Sequence, residues 1–253
     1  MPNHNLKTGL VAVGASSLLF ASFPARCAPP FVTDDPETVE YQHYEMNIAY
    51  QQVGDKGGKT ATPLIEINYG ALPDLQVGVS IPYVVDKPSG QLQQNGWGDV
   101  VLSAKYRFQQ ETDEQPMMAI SPAISVPTGN AARGLGNGKA QLFLPLWIQK
   151  SWGAWHLTGG GGYSINFAPG VGNNWYFGML VTRDVSEKIT VGGEVFHTTE
   201  QFPLENSITG FNIGGIYNID QNDRLFLSVG RGLITEEVAK NAYSAYFGYG
   251  LGW

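Results

Sequence analysis

Hydrophobic and polar residues alternate with a period of two along most of the chain, and the last eleven residues show this pattern most clearly. Every second position from Tyr243 to Trp253 is apolar or aromatic, and the positions between them are mostly glycine. Successive side chains of a β-strand point to opposite faces, so the pattern predicts a strand with one apolar and one bare face. A strand that ends the chain on an aromatic residue is typical of a closed membrane barrel, in which the last strand pairs with the first.

Similar alternation recurs along the chain and predicts an all-β fold, an antiparallel transmembrane β-barrel of about 12 strands. The predicted strands are 41–52, 62–70, 75–84, 99–108, 117–126, 141–149, 155–165, 175–182, 189–197, 209–219, 224–230 and 241–253. Short connections such as 71–74 and 220–223 are rich in turn-forming residues, whereas 86–98 and 127–140 are long. Short periplasmic turns and longer extracellular loops are typical of outer-membrane barrels, so we expect both chain ends at the periplasm.

The first 27 residues have the features of a secretory signal peptide. Lys7 precedes an apolar run over 9–20, which is shorter than the about 20 residues that a spanning helix needs. We expect cleavage after Cys27, with Ala25 at the minus-three position, which leaves 28–253 as a single outer-membrane β-barrel domain. The alternative, a lipid attached to Cys27, is disfavoured because Arg26 stands where a small residue is expected.

Removal of residues 1–27 leaves 13 basic and 22 acidic residues, a net charge of −9, and removes the only cysteine. The mature chain therefore has neither disulfides nor thiol chemistry, and its acidity argues against nucleic-acid binding. The expected location is the outer membrane of a Gram-negative cell. The expected partners are outer-membrane lipid, the barrel-assembly machinery and a small-molecule solute, with no nucleic acid.

Charged residues fall on the polar face of the predicted strands, where they would line the lumen. These lumen-lining candidates are Glu45, Glu66, Lys105, Arg107 and Glu194. Lys or Arg on the lipid face would cost about 2 to 4 kcal/mol near mid-membrane, so their placement is meaningful. One interpretation is a polar lining that guides a solute, and the other is a salt-bridge network that fills a narrow barrel.

Three aromatic residues, Tyr176, Phe196 and Tyr246, share the parity of the inward positions and complete the lumen candidates. They could form a surface for a hydrophobic substrate or pack as core. Inward glycines such as Gly248 and Gly250 leave either a path along the wall or room for opposing side chains.

Catalytic signals are weak, so the sequence predicts no catalytic residues, no metal site and no cofactor. His156 and His197 lie on predicted strands without a serine and an acid in recognisable spacing. A twelve-strand outer-membrane phospholipase shows that an enzyme of this size is possible. Its histidine-serine-asparagine motif is absent, since His156 is followed by Leu-Thr-Gly.

Several stretches resemble a known family. They include Ala28-Pro-Pro-Phe-Val-Thr-Asp-Asp-Pro36, Gly70-Ala-Leu-Pro-Asp-Leu75, Gly98-Asp-Val-Val-Leu-Ser-Ala-Lys-Tyr-Arg-Phe108, Val126-Pro-Thr-Gly129 and Gly193-Glu-Val-Phe-His197. They resemble the transporter-like outer-membrane proteins grouped with the meta-pathway of phenol degradation. The resemblance spans the mature chain and implies an outer-membrane barrel and, more loosely, uptake of aromatic or other hydrophobic compounds.

The leading hypothesis is a channel or facilitator for passive transport of small, aromatic or hydrophobic, solutes. The alternative is a non-conducting outer-membrane barrel with a structural, adhesion or lipid-modifying role. In either case Phe247, Tyr249, Leu251 and Trp253 on the final strand are the predicted signal for the assembly machinery.

Overall fold

A computed structural model of the chain describes residues 29–55, 57–200, 207–234 and 242–253. The predicted signal peptide, residues 1–27, lies outside the described residues together with its cleavage site. No helix in the described ranges is long and apolar enough to cross a membrane.

The described chain forms β-strands joined by turns and loops. The strand segments are β1 (Tyr44–Asp55), β2 (Gly58–Leu72), β3 (Leu75–Pro88), β4 (Gln94–Trp97), β5 (Val100–Gln109), β6 (Met117–Ile120), β7 (Ala123–Val126), β8 (Gln141–Trp152), β9 (Trp155–Asn166), β10 (Asn174–Ser186), β11 (Ile189–Thr198), β12 (Ile208–Asn218), β13 (Asp223–Ile234) and β14 (Tyr243–Gly252). A short 3-10 helix, Ala131–Arg133, lies in the loop between β7 and β8.

Two barrel strands are interrupted, so the fourteen described segments make twelve barrel strands. β4 and β5 both pair with β3 and are separated at Gly98 and Asp99. The Asp99 carboxylate accepts hydrogen bonds from the backbone N–H groups of Gly129 and Asn137 in the following loop. β6 and β7 are separated at Ser121 and Pro122, because proline has no N–H to donate to the ladder.

The barrel closes between its first and last strands. β1 pairs antiparallel with β14, from Glu45 opposite Gly252 to Gly54 opposite Tyr243. The remaining strands pair with their neighbours in chain order, which gives a closed, antiparallel, all-β barrel over the described residues. The prediction of about 12 strands is confirmed, as is the pairing of the final strand with the first.

The wall has the predicted apolar outer face and polar inner face. On β1, Tyr44, Ile48 and Tyr50 are exposed, whereas Asn47 and Ala49 are buried on the inner side. Outward aliphatic and aromatic residues face lipid, and inward polar residues face the lumen.

The loop between β1 and β2 is shorter than the sequence predicts. β1 and β2 both extend into the stretch between the predicted strands 41–52 and 62–70, and Asp55 pairs directly with Gly58. Extended hairpins of this kind satisfy backbone hydrogen bonds that an irregular loop would leave to water.

The glycine run in β9 lets aromatic rings lie flat against the inner wall. A Cβ atom at Gly160 would lie 2.7 Å from Cε3 of Trp147, and one at Gly162 would lie 2.7 Å from Cε2 of Phe143. Both glycines face inward, so no side chain of β9 separates these rings from the backbone of the wall. Gly159 faces outward, where the nearest contact of an added Cβ would be the Gly178 carbonyl oxygen at 3.7 Å.

Candidate functional site

The barrel interior contains a cavity of about 1350 Å³ that reaches the short-turn end of the barrel. We call this cavity the vestibule. Its lining includes the turn residues Asp74 and Asn222, the inner faces of several strands, and part of a stretch of chain that precedes β1. Eight carboxylate side chains line it, against three basic ones from Lys105, Arg107 and Arg224. The vestibule is therefore acidic, in line with the net charge of the chain.

The stretch that precedes β1, residues 29–40, lies inside the barrel, and we call it the N-terminal segment. Phe31, Thr33 and Pro36 are buried within the lumen. The hydroxyl of Ser228 on β13 donates to the Pro30 carbonyl oxygen at 2.6 Å, and the Val39 N–H donates to Gln76 on β3 at 2.9 Å. The segment thus crosses the lumen from one side of the wall to the other.

Glu194 on β11 holds the centre of this segment. Its two carboxylate oxygens accept the backbone N–H groups of Val32 and Thr33, each at 2.7 Å. The side-chain amide of Asn212 donates to the same carboxylate at 2.6 Å. Glu194 is 3% exposed, so a buried carboxylate fixes the segment to the wall.

Lys105 on β5 holds the acidic part of the segment. Its ammonium group lies 2.8 Å from Oδ1 of Asp34 and 3.7 Å from Asp35. It also donates to the Asp35 carbonyl oxygen at 2.8 Å. Burial raises the pKa of Asp35 to about 7, although Lys105 opposes this shift.

Arg107 lies two residues further along β5 and contacts the wall instead of the segment. Its guanidinium binds Asp74 in the β2–β3 turn at 2.6 Å, and its Nε donates to the same carboxylate at 2.8 Å. These bonds hold the pKa of Asp74 below its ordinary value. The two predicted lumenal cations therefore have different partners and different roles.

Glu45 and Glu66 lie on the vestibule wall, on β1 and β2. Glu45 forms an ion pair with Arg224 of β13 at 3.1 Å. Glu66 accepts a hydrogen bond from Asn68 at 3.3 Å, and in the described part of the chain it forms no ion pair.

Tyr176 and Phe196 belong to an aromatic cluster on the inner wall. Buried Phe143, Trp147 and Tyr176 pack together, and Phe196 stacks on Tyr176 with 6.4 Å between ring centroids. Val32 of the N-terminal segment packs against the cluster. The surface that the sequence suggests for a hydrophobic substrate is thus covered by the chain itself.

Tyr246 and the inward glycines lie on the opposite side of the lumen. A Cβ atom at Gly248 would lie 3.0 Å from Cε1 of Tyr246, and one at Gly250 would lie 2.8 Å from Oδ1 of Asn47. Of the two roles that the sequence leaves open for these glycines, room for neighbouring side chains is the one seen here. Gly252 is different, because an added Cβ there would have no contact closer than 3.7 Å.

The fold supplies partners for His156 that its sequence neighbours did not indicate. Its Nδ1 lies 3.0 Å from Oγ of Ser151, and its Nε2 lies 3.0 Å from Oδ2 of Asp184. The Ser151 hydroxyl also donates to Glu111 at 3.0 Å. Sequence spacing did not reveal this group, because strand pairing brings Ser151 opposite His156 and the next strand supplies Asp184.

The N-terminal segment is the main functional feature that sequence reasoning missed. Its proline-rich, acidic sequence lacks the alternation of a strand, so the hydrophobic pattern predicted no strand there. The available signal was the pair of adjacent carboxylates, Asp34 and Asp35, shortly before a barrel whose predicted lumen carries a lysine, Lys105.

Residues 59–246 match the family described as "Putative MetA-pathway of phenol degradation". The chain belongs to this family. The match covers most of the described barrel, from β2 to β14, and confirms the resemblance drawn from the sequence. No curated protein matches the chain significantly in sequence.

Solved structures of outer-membrane proteins share the fold of this family member. The COG4313 outer membrane channel from Pseudomonas putida F1 is 15% identical with a TM-score of 0.70, covering 87% of this chain and 98% of that chain. The NanC porin is 8% identical with a TM-score of 0.58, covering 81% and 98%. The translocator domain of the autotransporter NalP from Neisseria meningitidis is 9% identical with a TM-score of 0.57, covering 84% and 89%. The fold is therefore that of an outer-membrane β-barrel.

Proposed function

We propose that the protein is a channel of the Gram-negative outer membrane through which small solutes cross passively. The observation that carries this proposal is the vestibule, a cavity of about 1350 Å³ within a closed barrel. A barrel that served only as a scaffold would not need so large an acidic cavity at one end. The fold shared with outer-membrane channels and porins supports the same conclusion.

The solute class that we propose is small aromatic or other hydrophobic compounds. The family description names phenol degradation, and the cluster of Phe143, Trp147, Tyr176 and Phe196 offers ring faces to an aromatic solute. Val32 covers this cluster in the described state, so transport requires the N-terminal segment to move. The proposed permeation path runs from the cluster to the vestibule.

Reconstitution of the full chain into planar bilayers, together with uptake of a panel of phenols by cells, tests this proposal. We expect measurable conductance, higher conductance after removal of residues 29–39, and slower phenol uptake in cells that lack the protein. Absence of conductance in both forms, with unchanged uptake, would contradict a channel.

A second candidate function, a non-conducting structural barrel, has its own support. The lumen holds the N-terminal segment and the ion pairs Lys105–Asp34 and Glu45–Arg224, which fill part of the interior. If the segment never leaves the lumen, the barrel conducts nothing. Conductance of the full chain separates the two functions, since removal of residues 29–39 would open the lumen in either case.

We further propose that the protein is not an enzyme, although Ser151, His156 and Asp184 form a connected chain. In a catalytic triad the serine faces Nε2 of histidine and the acid faces Nδ1. Here the serine faces Nδ1, the acid faces Nε2, and the serine hydroxyl is donated to Glu111. A fluorophosphonate probe, which labels activated serines, is therefore expected to leave the refolded protein unlabelled. Labelling that disappears in Ser151→Ala would contradict this proposal.

A further inference from the structure

The β7–β8 loop, residues 127–140, is bound to the barrel wall at the break between β4 and β5. The Thr128 hydroxyl donates to the Gly98 carbonyl oxygen at 3.1 Å, on one side of the break. The same hydroxyl accepts the Val100 N–H at 2.9 Å, on the other side. One side chain therefore bridges the break and fixes the start of the loop to the wall.

Asp99, which lies in this break, binds the loop at two further points. Its Oδ1 accepts the Gly129 N–H at 2.8 Å, and its Oδ2 accepts the Asn137 N–H at 2.7 Å. Gly136 lies so close to the carboxylate that an added Cβ atom would collide with it. Because charged acceptors make stronger hydrogen bonds than neutral ones, the Asp99 carboxylate is the main attachment of the loop.

Leu135 shows which side of the wall the loop occupies. Its side chain is 3% exposed, and its Cδ1 lies 2.9 Å from the position of an added Cβ atom at Gly96 of β4. Gly96 pairs with Val84 of β3, whose side chain is buried on the inner face. By contrast, Leu92 in the β3–β4 loop is 85% exposed. Leu135 therefore packs on the lumen side of the wall.

The docked loop lies at the long-loop end of the lumen, away from the vestibule. Tyr83 and Trp97 are the outward neighbours of Val84 and Gly96 on the same two strands. Their rings meet edge to face with 5.3 Å between centroids. Aromatic rings on the outer face of a barrel typically mark the membrane interface. The loop thus covers the inner wall at about the height of the membrane boundary.

The loop also has a compact shape of its own. The Asn130 side chain accepts the Arg133 N–H at 3.2 Å, and Gly134 ends the short 3-10 helix with a φ of 70°. The Leu135 N–H donates to the Asn130 carbonyl oxygen at 3.0 Å, which turns the chain back towards the wall. The Arg133 guanidinium donates to Gln94 of β4 at 3.1 Å. The loop therefore docks as one unit.

We propose that the 127–140 loop is the constriction at the extracellular end of the channel and that Asp99 is the residue that positions it. A loop packed on the inner wall occupies part of the cross-section of the lumen, so its docking sets the largest solute that enters. The N-terminal segment occupies the lumen separately. The size limit rests on the proposed channel function, whereas docking of the loop does not.

Maleimide labelling of Leu135→Cys, in a full chain whose Cys27 is replaced by serine, tests docking directly. Leu92→Cys in the same chain is the exposed reference. We expect Leu135→Cys to react at least about tenfold more slowly than Leu92→Cys, and Asp99→Asn to remove most of this difference. An asparagine side chain has one acceptor oxygen, whereas the loop uses two. Asp113→Asn, at an exposed carboxylate of another loop, is the matched control and should change neither rate.

Two labelling results would overturn the proposal. The first is equal reactivity of Leu135→Cys and Leu92→Cys without any change at Asp99, which would show that the loop is not docked. The second is slow labelling of Leu135→Cys that persists in Asp99→Asn, which would show that Asp99 does not position the loop. The heat-modifiable gel shift of a folded barrel verifies folding of each variant.

Exclusion of poly(ethylene glycol)s of graded size from the pore, measured as conductance in planar bilayers, tests the size limit. Added at the long-loop side, larger polymers should enter Asp99→Asn and Leu135→Ala than enter the parent. Asp113→Asn and Leu92→Ala should behave as the parent does. A docked loop in a protein that conducts no ions would refute the channel alone. A conducting protein with the same size limit in every variant would refute the constriction alone.

Discussion

At the scale of single residues, the inner wall is shaped by where side chains are absent. Gly160 and Gly162 on β9 accept the rings of Trp147 and Phe143, and Gly250 accepts Asn47. Without a Cβ atom, these positions let large neighbours lie flat on the wall and leave the middle of the lumen to the N-terminal segment. Inward glycines therefore affect the width of the lumen, as large inward side chains also do.

This role of glycine gives a matched pair of substitutions. Gly162→Ala places a Cβ atom 2.7 Å from both the Phe143 ring and the Pro145 Cα, so ring and backbone must shift. We expect a loss of about 1–3 kcal/mol in the free energy of unfolding, the usual cost of overpacking. Gly159→Ala, on the outer face of the same run, should change stability by less than about 0.5 kcal/mol. Urea unfolding of the refolded barrel measures both, and equal midpoints would contradict this interpretation.

At the scale of elements, the N-terminal segment is bound inside the barrel without being part of its wall. It has no strand partner, and it is held by side chains of several strands, among them Glu194, Lys105 and Ser228. Hydrogen bonds to a charged group contribute about 1.5–3 kcal/mol each, so a few such contacts can seat a short segment and still allow release. The channel that we propose requires such a segment, which docks in the lumen and also leaves it.

The two lumenal cations should differ in their effect on this segment. Lys105→Gln leaves buried Asp34 without its cation, whereas Arg107→Gln breaks a contact with Asp74 that does not involve the segment. Removing one partner of a buried pair costs about 3–5 kcal/mol, so release of the segment should increase at least about tenfold in Lys105→Gln alone.

A single cysteine at Val32, in a chain whose Cys27 is replaced by serine, reports this release through its rate of labelling by a maleimide. Faster labelling is expected with Lys105→Gln, and an unchanged rate with Arg107→Gln. Equal rates in both backgrounds would show that Lys105 does not hold the segment.

Docking of the segment should also depend on pH through Asp35. Burial raises the pKa of Asp35 from its ordinary value of 3.8 to about 7, so the docked segment favours the protonated carboxyl. Docking therefore weakens as pH rises from about 4 to about 7 and levels off above that range. Labelling of the same cysteine, normalised to the unfolded chain at each pH, should increase from pH 5 to pH 8. Asp35→Asn should remove most of this increase, and an equal increase in that variant would assign the dependence to another group.

At the scale of the whole molecule, closure depends on the final strand. The Trp253 carbonyl oxygen accepts the Tyr44 N–H at 2.8 Å, and the Trp253 N–H donates back to Tyr44 at 3.0 Å. The rings of these two residues stack with 5.5 Å between centroids. Trp253 thus forms the last pair of the seam, at the short-turn end of the barrel.

We infer that Phe247, Tyr249, Leu251 and Trp253 are also read by the assembly machinery, a role that would be separate from closure. Trp253→Ala should reduce the amount of folded barrel in cells several-fold while leaving spontaneous refolding into lipid vesicles close to that of the parent. Trp97→Ala, at an exposed aromatic far from the seam, is the control and should assemble normally. An equal loss in cells and in vesicles would instead assign Trp253 to closure alone.

Much of the architecture was predictable because it depends on local alternation. Strand number, the inward positions of Glu66 and Lys105 and the pairing of the first strand with the last follow from a period of two and the need to close the sheet. The roles of individual side chains were less predictable. Lys105 and Arg107 are alike in sequence, yet one binds the N-terminal segment and the other binds a turn.

The sequence by itself determined that the strands form a barrel wall with an apolar outer face and a polar inner face. Alternation specifies which side chains face lipid and which face the lumen. Only the tertiary structure decided what fills the lumen. The contacts of Val32 and Thr33 with Glu194, and of Asp34 with Lys105, join residues between 71 and 162 positions apart. Such contacts depend on the stagger and diameter of the closed barrel, which bring distant strands to the same height. No local pattern carries that information, because it arises only when the sheet closes.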